Sequence, residues 1–337
     1  MNRSTKILSL LLVLLGICYY VISKKPWRTA TKAADAFAVK DTASVNKIFM
    51  ANKMGQRVLL ERTANNTWLV NGKIPADEFK IKLLLGTLHD LQIQMPVPPT
   101  MHNTIIAQLA SKGVKTEIYA NNELIKTIYV GSETADKTGT FMLMEGEDQS
   151  YVIQIPGFVG FLTPRFFITE IKWRSKLVFD VPADQIQSIS INYPEKPNES
   201  FTYNKADFEA KGILLNNNKP IAADTQQVKL FLHSFEQKYA EGFYDDSTFL
   251  QKERDSLLQL TPYCKIELVR TNGSKQNLQL FYKPVGERTK FRYDESGNEL
   301  TIDPEKFYGK LDQIPQISSI QEYTFRRILA KLSQLKK

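Results

Sequence analysis

The sequence predicts an α+β protein: an N-terminal transmembrane helix, then two tandem copies of a module in which helices pack on an antiparallel sheet. Three observations predict this. Residues Ile7 to Ile22, ILSLLLVLLGICYYVI, form an uncharged apolar run. The stretch NGKIPAD at Asn71 to Asp77 returns as NKPIAAD at Asn218 to Asp224, 147 residues on. Around both stretches the flanking segments echo one another in the same order, helix-like periods giving way to strand-like ones.

The apolar run comes first in the chain. As a helix its 16 residues span about 24 Å, a little short of the ~30 Å hydrocarbon core. Lys6, Lys24 and Lys25 can snorkel to make up the difference, and Tyr19, Tyr20 and Trp27 sit where an interfacial belt belongs. A cleaved signal peptide is the competing reading, since the run is short. Against it, Lys24, Lys25 and Pro26 follow instead of a small-x-small site, and Ile17 stands before Cys18 where a lipoprotein signal needs a small residue. The expected layout is a short tail at 1–6, an uncleaved single-pass anchor at 7–23 and a membrane-proximal linker at 24–42. More positive charge follows the run than precedes it, but long domains translocate largely regardless of charge, so the body is expected outside.

Module one is expected at 43–165 and module two at 183–314. VNKIFM (Val45 to Met50) and IQSISI (Ile186 to Ile191) read as strands, each followed by another near Val58 to Arg62 and Phe201 to Asn204. Asp77 and Asp224 are placed as helix N-caps, with Gln227 at capping-box spacing from Asp224. The next helices carry matched apolar faces, Ile81, Leu84, Leu85 and Leu88 against Val228, Phe231, Leu232 and Phe235. Beyond a second helical stretch comes a four-stranded meander. Its hairpins turn at Asn121-Asn122 and Asn272-Gly273, then at the acidic tips EGEDQ (Glu145 to Gln149) and DESGNE (Asp294 to Glu299). GFVGFL (Gly157 to Leu162) and EKFYGKL (Glu305 to Leu311) are read as short helical stubs closing each copy.

The remaining segments are punctuation. MPVPPT (Met95 to Thr100) is expected to end the first helix as an extended loop. Residues 166–182 are aromatic and basic, with no Gly/Ser tract, and predict a packed connector. Residues 315–337 are expected to hold a basic amphipathic helix with Phe325, Ile328, Leu329, Leu332 and Leu335 as its stripe.

Composition excludes several classes of function. The net charge of +8 lies mostly at the chain ends, without aromatics interleaved in a basic run, so nucleic acid is not the expected partner. Two cysteines in unlike segments predict no disulfide. No nucleophile elbow, metal-binding His motif, phosphate loop or dinucleotide fingerprint is present. GSETADKTG (Gly131 to Gly139) lacks the Lys-Ser/Thr ending of a phosphate loop. His89, His102 and His233 read as ordinary helical or loop residues, and the acidic hairpin tips lack calcium-loop spacing. Asp245-Asp246 beside Phe243-Tyr244 is the one carboxylate pair weighed for function. No catalytic, cofactor or metal residue is assigned.

The apolar anchor, the Trp68 strand, PAD at Pro75 to Asp77, the paired strands ending in Val130-Gly131, the Tyr151-Val152 strand and KWRSKLVFDVPADQIQSISI (Lys172 to Ile191) together resemble the bacterial family called domain of unknown function 4340. That resemblance covers nearly all the chain after the anchor. It implies a single-span protein of the cytoplasmic (inner) membrane with its body in the periplasm or outside. It also implies a place as accessory partner of an envelope or ABC-type transporter complex. The expected function is therefore membrane-anchored binding or scaffolding of a protein partner, without enzymatic activity. A small-ligand receptor with its site between the modules and an envelope hydrolase are the alternatives.

Overall fold

A computed structural model describes residues 33–245, 249–287, 289–312 and 314–337. The run Ile7–Ile22 and Asp246 lie outside the described residues. Among the described residues no helix is long and apolar enough to cross a membrane, so the expected transmembrane helix draws no support from them.

The fold is α+β, with two antiparallel sheets of nine strands each. The first copy runs β1 (Val45–Ala51), β2 (Arg57–Arg62), β3 (Trp68–Val70), β4 (Ile74–Pro75), helix α1 (Glu78–Asp90), β5 (Gln92–Pro96), α2 (Pro99–Lys112), β6 (Val114–Ala120), β7 (Glu123–Glu133), β8 (Thr140–Met144) and β9 (Tyr151–Gln154). A short turn of helix, α3 (Glu170–Trp173), and strand β10 (Leu177–Phe179) follow. The second copy runs β11 (Ile186–Asn192), β12 (Phe201–Asn204), α4 (Lys205–Lys211), β13 (Ile213–Asn216), β14 (Lys219–Ala222), α5 (Thr225–His233), β15 (Lys238–Tyr239), β16 (Gly242–Phe243), α6 (Gln251–Leu258), β17 (Cys264–Arg270), β18 (Lys275–Pro284), β19 (Ile302–Leu311) and β20 (Ile317–Gln321). The tail adds α7 (Glu322–Phe325) and α8 (Leu332–Leu335).

Strand order is β4-β3-β2-β1-β6-β7-β8-β9-β5 in one sheet and β14-β13-β12-β11-β17-β18-β19-β20-β16 in the other. The second order repeats the first, strand for strand. Among the described residues compactness divides the chain into one unit of 33–66 with 79–168 and another of 67–78 with 169–337, so the β3–β4 hairpin is counted with the second.

The repeated heptapeptide is a hairpin followed by a helix start. Asn71 and Gly72 have φ of 51° and 70°, and Asn217 and Asn218 have 47° and 62°. Two successive residues at positive φ make the turn whose twist matches the flanking strands, which is why Asn and Gly sit there. Asp224 then caps α5, its Oδ1 accepting from the backbone N–H of Gln226 at 2.9 Å and Gln227 at 3.1 Å. We expect Asp224→Ala to lower the stability of this unit by about 1 kcal/mol, read as a shifted urea midpoint at constant slope. A shift no larger than that of an exposed-site substitution would remove the cap from the account.

In the second unit the helices occupy both faces of the sheet. Val228, Phe231 and Leu232 of α5 share a core with Leu278 and Leu280, whereas Leu257 of α6 packs on Phe281 and Ile317. Neighbouring residues of a strand point to opposite faces, so Leu280 and Phe281 serve different helices.

Three sequence expectations are corrected. Of the proline cluster only Val97 and Pro98 form a loop. Met95 and Pro96 end β5, and Pro99 opens α2, where a missing N–H costs nothing. Glu305 to Leu311 is not a helical stub but part of β19. Phe307 and Leu311 are buried at period two, and the second hairpin of this meander is β19–β20, with DESGNE on an excursion before it. Gly157 to Leu162 likewise forms turns, not a helix.

The tail is the third. All five residues of the expected stripe are buried, yet the segment makes two single helical turns instead of one helix. The break is held by side chains of the second unit. The Tyr193 hydroxyl donates to the carbonyls of Leu329 (2.6 Å) and Ala330 (3.2 Å), and the Ser333 N–H donates to Glu199 at 3.0 Å.

Breaking there lets the tail reach the repeated motif. The Asp224 N–H donates to the Leu335 carbonyl at 2.7 Å, Ala223 bridges Lys336, and the Lys337 N–H donates to Ala222. The first motif is treated in the same way. The Asp77 N–H donates to the Trp173 carbonyl at 2.7 Å, Ala76 bridges Arg174, and the Ser175 N–H donates to Pro75. Helices α3 and α8 are therefore equivalent latches, with Trp173 and Leu335 as their buried plugs.

Candidate functional site: a cleft over the first sheet

A cleft opens in the first unit. Its volume is about 500 Å³. One wall is α2, through Ile106, Leu109 and Ala110; the other is the sheet, through Ala51, Tyr129 and Leu143. Helix α2 lies close to this sheet because Gly131 has no side chain. A Cβ there would stand 2.7 Å from Leu109 Cδ2.

Strand period puts the polar residues in and beside the cleft on one face. Lys115, Glu117 and Tyr119 alternate with the buried Val114, Thr116 and Ile118 along β6. The Lys115 ammonium lies 2.9 Å from Glu117 and 3.2 Å from Glu145. The Tyr119 hydroxyl donates to Glu117 at 2.8 Å, and the Tyr129 hydroxyl donates to Glu145 at 3.1 Å. The Glu117 carboxylate, with Glu145 beyond it, holds the Lys115 ammonium well above its usual range. Burial alone would raise the Glu117 carboxyl, but Lys115 and Tyr119 outweigh it and hold it below the usual carboxylate range. Lys115 and Tyr129 do the same for Glu145. Both tyrosines are pushed up, Tyr119 by its bond to Glu117 and Tyr129 by burial together with Glu145. At neutral pH the network therefore carries two negative charges and one positive, each group fixed by another.

The residues weighed from sequence are scattered. His89 Nδ1 is 2.6 Å from Asp90, and His233 Nδ1 is 2.9 Å from Glu236, both exposed. His102 lies on α2, its Nδ1 buried with no hydrogen-bond partner in the structure. Asp245 sits in the loop after β16, where its carbonyl accepts from the Phe249 N–H. Cys264, the first residue of β17, is buried, and burial pushes its thiol up to about 12, away from the thiolate form that reacts. Among the described residues no group of three or more metal-binding side chains converges.

Sequence reasoning passed over Lys115, Glu117, Tyr129 and Glu145. Their signal was present in the alternation Lys-x-Glu-x-Tyr, which marks a strand with a polar, aromatic face. What brings them together is the pairing of Lys115 with Tyr129 and of Tyr129 with Leu143, which no local pattern states.

The model of the family described as "Domain of unknown function (DUF4340)" matches residues 68–256, more than half of the chain. The chain belongs to this family. The DUF4340 match runs from the first strand of the repeated hairpin, Trp68, into α6 of the second copy. No curated protein and no solved structure matches the chain.

Proposed function

We propose that this DUF4340 protein is a membrane-anchored, extracytoplasmic binding protein without catalytic activity, an accessory component of an envelope or ABC-transporter-type complex. The observation that carries the binding role is the cleft. It is roofed by an apolar helix face, and the ionisable groups in and beside it hold one another in place instead of pairing a nucleophile with a base. The uncharged run Ile7–Ile22 supports the anchorage. The resemblance noted from sequence supports the transporter-type setting.

The reading has a direct test. The full chain should stay with membranes through alkaline carbonate extraction. In-cell crosslinking with mass spectrometry should recover an integral membrane protein of the same complex. Substitution of His89, His102, His233, Asp245 or Asp246 one at a time should leave its function intact. Release by carbonate would remove the anchor. Absence of any protein adduct, together with loss of activity in one of those variants, would replace the binding role with an enzymatic one.

A further inference from the structure

The chain supplies its own comparison, because one strand order occurs twice. Ladder partners place equivalent positions without reference to side-chain type. Ala51 faces Lys115 as Asn192 faces Lys265, and Phe49 faces Glu117 as Ser190 faces Glu267. Lys115 faces Tyr129 as Lys265 faces Gln279. Tyr129 faces Leu143 as Gln279 faces Lys310. Phe49 faces Leu59 as Ser190 faces Thr202. The inward positions of β1 and β11 stay apolar in both copies: Ile48 and Met50, Ile189 and Ile191. The lysine and glutamate of β6 recur in β17.

The two copies differ on the opposite face. Where the second copy carries Ser190, Thr202, Gln279 and Lys310, the first carries Phe49, Leu59, Tyr129 and Leu143. None of these four side chains in the first copy is fully buried. In the first copy Tyr129 and Leu143 also pack against Ile105 and Leu109 of α2, yet the second copy keeps the same strand order with serine, threonine, glutamine and lysine at the four positions. Apolar side chains kept partly in water at such positions are the pattern of a contact surface.

We infer that this face, with the cleft under α2, binds an extended segment of a partner protein that seats one bulky apolar side chain in the cleft and sets a lysine or arginine against Glu145. This deepens the binding role proposed above and rests on it. Charge decides the occupant. Glu145 is half exposed at the mouth of the cleft and is held ionised by Lys115 and Tyr129. Glu147 and Asp148 are exposed on the same β8–β9 tip. Lys53 and Lys115 are the cations lining the cleft; Lys115 is already paired with Glu117 and Glu145, and Lys53 stands on the β1–β2 turn, so the basic group of the partner is steered to the β8–β9 side. An apolar anchor in a pocket beside a charge-assisted contact is the arrangement in which few residues carry most of an interface's energy.

The experiment uses the full chain in cells, with a photo-crosslinking amino acid at Lys53 or, on the matching face of the second unit, at Asn192. The Lys53 probe should give a protein adduct whose crosslinked peptide holds a large apolar residue next to Lys or Arg. The Asn192 probe should not give that adduct. Glu145→Lys should weaken the adduct at least tenfold, and Ala110→Trp, which fills the cleft from an exposed position, should abolish it. Far-UV circular dichroism of both variants checks that they fold. The inference is overturned if both probes give the same adduct, if either variant leaves the Lys53 adduct unchanged, or if that adduct is a phospholipid. Protein adducts from probes elsewhere with none at Lys53 would remove this site and leave the binding role standing. No protein adduct from any position would remove both.

Discussion

A chain cut after Thr324 should fail to fold its second unit. The cut removes Phe325, Ile328, Leu329, Leu332 and Leu335, all at most 8% exposed. Burial of side chains of this size stabilises by about 1.5–3 kcal/mol each, so their joint loss is roughly 8–15 kcal/mol. That equals or exceeds the whole stability of an ordinary domain, about 5–15 kcal/mol. The cut also orphans the Tyr193 hydroxyl and the Asp224 N–H, which lose their acceptors in the tail. Amide hydrogen exchange should show β11–β14 and β17–β20 unprotected in the truncated chain. Tyr323→Ala, at a residue 82% exposed, should stay within about 0.5 kcal/mol of the parent. Native-like protection of those strands in the truncated chain would refute the tail's role as core.

Lys283→Met should be strongly destabilising. The Lys283 ammonium lies 2.7 Å from Asp303, whose side chain is 2% exposed. The Thr289 hydroxyl and the Glu305 N–H donate to the same carboxylate. Burial alone would raise the Asp303 carboxyl, but Lys283 and these donors hold it below the usual range. Removing the lysine leaves a buried carboxylate without its counter-ion, a loss of about 3 kcal/mol.

The sign of the pH dependence follows from the lowered carboxyl. In the parent, stability from Asp303 is present above the unfolded pKa and is lost as pH falls through the folded one. In Lys283→Met the carboxylate is no longer favoured to that degree. The deficit against the parent should therefore shrink as the pH drops and Asp303 takes up a proton. Denaturant midpoints of both chains between pH 7 and about pH 4 check this. A deficit that stays constant, or grows as pH falls, would mean that the pair does not hold the carboxylate.

What the sequence makes legible is whatever is local or repeated. The NGKIPAD and NKPIAAD hairpins, the Asp224 cap and the Asn turns each state their own geometry within a few residues. The errors come from segments whose form is set by distant partners. Glu305 to Leu311 reads as helical until β20 pairs with it, and the tail's apolar spacing fits a helix although Tyr193 and Glu199 stabilise a broken one. The cleft was illegible for the same reason. Its walls come from β1, α2, β6, β7 and β8, and only the ladder registers bring them to one place.

The paired latches also set a timetable for synthesis. Ala76 waits for Arg174, 98 residues later, and Ala223 waits for Lys336, 113 residues later. At roughly 5–20 residues per second, each hairpin edge emerges and stands open for about 5–20 s before the segment that covers it exists. An uncovered strand edge is a template for another chain. Nascent copies on neighbouring ribosomes are therefore most exposed to one another during those intervals, and slower translation between each motif and its latch would lengthen that hazard without altering a single contact of the finished fold.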